Sequence, residues 1–164
     1  MNFDLDCRRC ERLAGFLDDV RRDYPAYHAR PVPPFGARDA RLLIVGLAPG
    51  MHGANASGRP FTGDYAGILL YRTLYDFGFA SHPESVARDD DLVLRDCRIT
   101  NAVKCLPPQN KPLPREIQCC NDFLKEELAE LGTDNVILAL GRIAHDAVLR
   151  ALDKRGKDFV FGHA

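Results

Sequence analysis

The chain has 164 residues, 46% hydrophobic, 27% charged and 9% aromatic, the balance of one globular domain rather than a disordered or low-complexity segment. Twenty-two basic residues against 23 acidic ones leave a net charge of −1, which excludes a strong overall field toward a polyanion and makes any nucleic-acid contact local. No apolar run nears the ~20 residues of a membrane span, and the opening MNFDLDCRRC lacks the apolar centre of a signal peptide. The protein is therefore expected in the cytoplasm, where disulfides explain six cysteines poorly and metal binding or catalysis explains them better.

The stretch from Asp6 to Asp23 carries Leu13, Phe16, Leu17 and Val20 at three- and four-residue spacings, predicting a short amphipathic helix. Prolines crowd the following YPAYHARPVPPFG and predict an extended loop. Residues Arg41 to Val45, RLLIV, read as a buried parallel strand ended by Gly46. The glycine-rich GLAPGMHGANASGRPFTGD then predicts a long shaped loop at that strand's end. From Tyr65 a helix is expected with Ile68, Leu69, Leu74 and Phe77 toward the core and Gly78 as its stop.

A second buried strand is predicted from Arg98 to Lys104, followed by the loop CLPPQNKPLP. Pro114 suits the first turn of a helix whose apolar face holds Ile117, Cys120, Leu124, Leu128 and Leu131. Asn135 to Leu140 reads as a third buried strand, GRIAHDAVLRAL as its helix, and the FVF near the end as the start of another strand. Alternating strands and helices predict an α/β fold: three layers, α/β/α, around a mostly parallel sheet of about four strands in a single domain. A ligand site is expected in loops at the carboxyl ends of the strands, after Val45 and after Lys104.

Two groups of residues carry potential chemistry. Cys7 and Cys10 form a C-x2-C pair, and Cys105 and Cys120 add two thiols with fourteen residues between them; four thiolates suit zinc or an iron–sulfur centre equally. Cys97 and Cys119 read as ordinary buried cysteines. The glycine loop lacks the Lys-Ser/Thr of a P-loop, so it is not a Walker motif. Its Phe61 offers an aromatic face or core packing, and its Asp64 a carboxylate for a ligand or a helix N-cap.

The segments GLAPGMHGAN, GRPFTGD, TNAVKCLPPQNKP and ALGRIAHDA, in this order, resemble the bacterial and archaeal iron–sulfur uracil-DNA glycosylases. The resemblance runs from Cys7 to about Leu152 and is nearest to family 5, because family 4 carries Glu at the position of Leu47. It implies a structural [4Fe–4S] cluster on Cys7, Cys10, Cys105 and Cys120. It also implies a monofunctional glycosylase that flips uracil, or another deaminated base such as hypoxanthine or xanthine, out of DNA and hydrolyses the N-glycosidic bond.

By the same resemblance Phe61 stacks on the base, the Asn101 amide reads its edge, and backbone around Leu47 and Ala48 contacts it. Asp64 steers water or stabilises the sugar cation, with Asn110 as helper. DNA contacts are implied for His52, Asn55, Arg59 and Lys111, with Lys104 and Arg115 beside them; His52 serves equally well as a hydrogen-bonding residue within its own loop. His145 is expected at the surface. His163 is not the family's histidine, which lies in a later H-x-S-x-Q-N motif that this sequence lacks. The chain is accordingly expected to stop short of the family's C-terminal part, to be a monomer with no inferable protein partner, and, in an alternative reading, to be a non-catalytic DNA-binding remnant.

Overall fold

A computed structural model describes residues 3–162. The first helix, α1 (Glu11–Asp23), begins later than the periodicity predicts, because Cys10 takes an extended conformation and the C-x2-C segment precedes the helix as turns and bends. Leu13, Ala14, Leu17 and Val20 form its buried face. Within the proline-rich segment, Phe35–Gly36 makes a short strand, β1, where only a loop was expected. It pairs antiparallel with β3 (Cys97–Asn101).

The strand β2 (Leu42–Gly46) lies at the centre of the sheet, parallel to β3 on one side and to β4 (Val136–Ala139) on the other, giving the order β1-β3-β2-β4. Side chains alternate across a strand, and β2 builds two cores accordingly. Leu43 and Val45 pack toward Leu124, Ala144, Ala147 and Val148 of α4 (Pro114–Ala129) and α5 (Arg142–Ala151). Ile44 packs with Ile99 toward Tyr71 and Leu74 of α3 (Tyr65–Asp76), and the glycine-rich segment before α3 holds a four-residue helix, α2 (Ala54–Ser57), where the sequence predicts loop alone. The sheet therefore lies between helices on both faces, as the alternation of elements predicts, and a third apolar cluster joins α1 to Val103, Cys105, Leu106 and Cys120.

Two predicted faces are corrected. On α3, Gly67, Tyr71 and Leu74 turn inward, whereas Ile68 (68% exposed), Leu69 (74%) and Phe77 (76%) face outward. The face is chosen by tertiary contacts: the Tyr71 hydroxyl donates to the Pro60 carbonyl, and Gly67 lies directly over the Phe61 backbone. The second correction is β4, which is an edge strand with Val136 and Leu138 exposed rather than buried on both sides. After α5 and a 3-10 turn at Gly156–Asp158, Phe159 and Val160 are exposed, and the expected strand start does not form among the described residues.

Ladder bonding continues past the strand ends. Ala102 N–H donates to the Gly46 carbonyl at 2.9 Å and Val103 N–H to the Leu47 carbonyl at 3.0 Å. These bonds fix the loop after β2 against the loop after β3, the two segments from which the site is built.

Candidate active site

At the carboxyl ends of β2 and β3 a cavity of about 860 Å³ opens, lined in part by Gly46, Leu47, Ala48, Phe61, Asp64, Asn101 and Asn110. All six residues expected to bind the base or assist its release thus border one space. Apolar residues that the sequence does not mark as site residues complete the lining: Tyr65, Leu69 and Leu70 of α3 with Leu138 and Leu140 around β4. Reading Leu69 as core hid this part of the lining, and no local sequence signal distinguishes a cavity wall from a core face.

Asn101 ends β3 opposite Gly46 and is 3% exposed. Its side-chain amide has no hydrogen-bond partner among the described residues. Buried amides are normally paired, so this donor and acceptor pair, facing the cavity, suits the edge of a polar ring. Phe61 adopts a left-handed backbone conformation at φ 58°, a conformation that costs a non-glycine residue about 1–3 kcal/mol and persists only where surroundings impose it. Gln109 and Asn110 do the same at φ 55° and 56°.

Asp64 occupies the N-cap position of α3 yet makes no side-chain cap there. Its carboxylate turns back into the glycine loop, accepting the backbone N–H of Ala54 at 3.1 Å and that of Gly50. A Cβ on either Gly50 or Gly53 would stand 2.0 Å from Asp64 Oδ1, which is why this loop needs glycine at both positions. Burial raises the Asp64 pKa above the ordinary carboxylate range, and the two N–H donors oppose that rise only in part.

The expected DNA contacts divide. His52 is exposed, with its Nδ1 held 2.8 Å from the Tyr27 hydroxyl, and Lys111 and Arg115 are exposed as well. Asn55 is fully buried and its Nδ2 donates to the Met51 carbonyl at 3.4 Å, so it shapes the loop from inside. Arg59 also turns inward. Its guanidinium pairs with Asp90 at 2.5 Å, donates to Ser85 Oγ and the Arg88 carbonyl, and lies 4.3 Å over the Phe35 ring. Lys104, 1% exposed, sits 2.7 Å from Glu127 Oε1 and donates to Thr100 Oγ1. A basic residue beside a site motif signals a phosphate contact only when its head reaches solvent, and these two heads are consumed by buried partners.

The thiols of Cys7, Cys10, Cys105 and Cys120 gather where the C-x2-C segment meets the loop after β3 and the first half of α4. Burial, followed by the nearby Cys120, Cys7 and Cys10, pushes the Cys105 thiol pKa far up. Cys10 is pushed up to about 12 by burial and by contact with Cys119. Burial raises Cys120 too, against the lowering influence of Lys104. Such mutual disfavouring of thiolates is what a cationic centre would relieve. Among the described residues no three Cys, His, Asp or Glu side chains form a ready single-ion cage. Cys97, also pushed up to about 12, is a core residue behind β3. His145 Nε2 lies 3.0 Å from the Phe159 carbonyl, away from the cavity lining, and His163 lies outside the described residues.

The family model of the uracil DNA glycosylase superfamily matches residues 33–163. The chain belongs to the uracil DNA glycosylase superfamily. It is 45% identical to the Type-5 uracil-DNA glycosylase of Thermus thermophilus over 96% of its own length and 74% of that relative. Identity is 42% to the Type-5 uracil-DNA glycosylase of Pyrobaculum aerophilum, over 96% of this chain and 71% of the relative. The Mycobacterium bovis Type-5 enzyme is likewise 42% identical, with 62% of its length covered. Leu47 and the Asn101 amide lie beside the ladder bonds that join the two site loops. No helix of the described residues is long and apolar enough to cross a membrane.

Proposed function

We propose that this protein is a DNA repair glycosylase that releases uracil from DNA, leaving an abasic site. The observation that carries the reading is the buried, unpartnered Asn101 amide facing the cavity beside Phe61. A base within a duplex is out of reach, so the nucleotide must swing out of the stack, its unstacking offset by contacts in the cavity. Phe61 offers a ring face for the base, Asn101 its donor and acceptor, and backbone at Leu47 and Ala48 closes the edge. Bond cleavage leaves positive charge on the sugar and negative charge on the departing base. Asp64, anchored by Gly50 and Ala54, supplies the carboxylate that stabilises the cation or orients water, and Asn110 assists from the other loop.

DNA would be met by the exposed His52, Lys111 and Arg115, a few contacts fitting the near-zero net charge and implying a modest, salt-dependent affinity. Cys7, Cys10, Cys105 and Cys120 would hold a [4Fe–4S] cluster; the sulfurs of a cubane stand farther apart than those around one ion, so the lack of a single-ion cage does not argue against them. When bound, the cluster supplies a structural brace between the C-x2-C segment and the loop carrying Asn110, with no electron transfer required of it.

The test is base release from single- and double-stranded oligonucleotides containing uracil, hypoxanthine or xanthine, read as strand scission after alkali. Uracil release that falls about 10²–10³-fold in Asn101→Ala supports the reading. No release of any base by the wild-type chain overturns it, and purine release extends the substrate range.

A further inference from the structure

Phe61 and Asn101 reach their positions because side chains are missing elsewhere. A Cβ built on Gly46 would lie 2.5 Å from Asn101 Oδ1, 2.6 Å from Phe61 Cζ and 2.8 Å from Phe61 Cε2. No backbone atom is among these nearest neighbours. Gly46 is buried at the end of β2 and has no positive φ, so its own backbone conformation does not require glycine. The need arises from the two side chains that converge on it.

A second glycine holds Phe61 from the opposite side. A Cβ on Gly67 would stand 1.8 Å from the Phe61 carbonyl oxygen, a clash with backbone that nothing flexible relieves. Phe61 is thus confined in its left-handed conformation by α3 at its carbonyl and by Gly46 at its ring edge. The two contacts differ in kind: Gly67 secures the chain path, whereas Gly46 governs only where the ring and the Asn101 amide lie.

We infer that Gly46 is a positioning residue of the base-binding site, its missing side chain setting the separation and mutual angle of the Phe61 ring and the Asn101 amide. The inference rests on the glycosylase reading for its link to activity, but not for its geometry. A methyl group at position 46 shifts the far ends of two flexible side chains, which the fold tolerates, and displaces both groups from the base. Misplacement on this scale lowers rate steeply, by about 10²-fold per ångström.

The experiment compares Gly46→Ala in the wild-type chain with the same change in Phe61→Leu and Asn101→Ala backgrounds, together with the side-chain amide NMR signals of Asn101. Gly46→Ala should keep its circular dichroism spectrum, shift the Asn101 amide signals, and lower kcat/KM for uracil release by about 10²-fold. Because Leu lacks the atoms corresponding to Cζ and Cε2, and Ala lacks the amide, the loss should shrink at least several-fold in each background. An equal loss in all three backgrounds, an unfolded Gly46→Ala variant, or unmoved Asn101 amide signals overturns the inference. If the wild-type chain releases no base, the functional reading fails, while the amide signals still decide the role of Gly46.

Discussion

Arg59 lies next to the site motif, and its substitution distinguishes a phosphate contact from an internal brace. Its side chain is 5% exposed and that of its partner Asp90 16%, with 2.5 Å between them. Burial alone would push the Asp90 pKa up, yet hydrogen bonds from Arg59 and from the backbone of Val86, Ala87 and Leu92 outweigh it and hold the carboxyl at about 2. Removing one member of a buried pair costs about 3–5 kcal/mol. In Arg59→Ala, Asp90 retains its three backbone donors, and Ser85 Oγ retains Thr62 Oγ1. Those surviving bonds place the loss near the lower bound, about 3 kcal/mol, with the guanidinium over Phe35 and its bond to Arg88 forfeited.

At a urea slope of about 2 kcal/mol/M, the unfolding midpoint should fall by about 1.5 M. Binding to DNA, measured from low to moderate salt on protein that remains folded, should keep its slope of log affinity against log salt. A phosphate contact would instead flatten that slope by about 0.9. A midpoint unchanged within about 0.5 M together with the flatter slope would refute the internal role, and Arg59 would return to the DNA surface.

Further outcomes are expected elsewhere. Asp64→Asn should lower base release by about 10²–10⁴-fold and cost about 1–3 kcal/mol of stability, because an amide can accept only one of the two loop N–H groups that the carboxylate holds. Since burial raises the Asp64 pKa, activity that needs the ionised carboxylate should fall on the acid side at a higher pH than an ordinary carboxylate gives. A pH–rate profile with the same acid limb in wild-type and Asp64→Asn would remove Asp64 from the chemistry. For Asp90, whose pKa is depressed, the stabilising contribution is present above the unfolded value and lost as pH falls through the folded value of about 2. Asp90→Asn should therefore flatten the acid branch of the stability curve, and an unchanged branch would count against the pairing. Cys105→Ser should bleach any visible absorption near 400 nm and lower the unfolding midpoint; an unaltered spectrum removes Cys105 from the ligand set. Lys104→Met should destabilise by about 3–5 kcal/mol because it strands Glu127. Adding Glu127→Leu should recover most of that loss, and failure to recover would show that the lysine acts on something other than its carboxylate.

How much the sequence discloses differs from element to element. The apolar run RLLIV and the punctuated loop after it locate β2 and the site loop, since a buried parallel strand requires one and its ligand-binding end the other. The motif residues Phe61, Asp64, Asn101 and Asn110 are visible in the chain long before they meet at the cavity. By contrast, Tyr65 to Phe77 offers apolar residues on nearly every face, so periodicity could not choose between Leu69 and Tyr71. The bond from Tyr71 to Pro60 and the fit of Gly67 over Phe61 made that choice.

Sequence by itself determined the alternation of the three parallel strands with their helices and the inventory of chemical groups, because these follow from local spacing and residue type, whereas the two-residue β1 and the absence of a strand at Phe159–Phe161 did not. Tertiary structure alone decided which charges are spent internally, as at Arg59 and Lys104, and which of the predicted strands lies at the edge. It also decided which glycines open space for a neighbour's side chain. Each of these depends on atoms far apart in the chain competing for the same volume or the same partner, and no local pattern records the outcome of that competition.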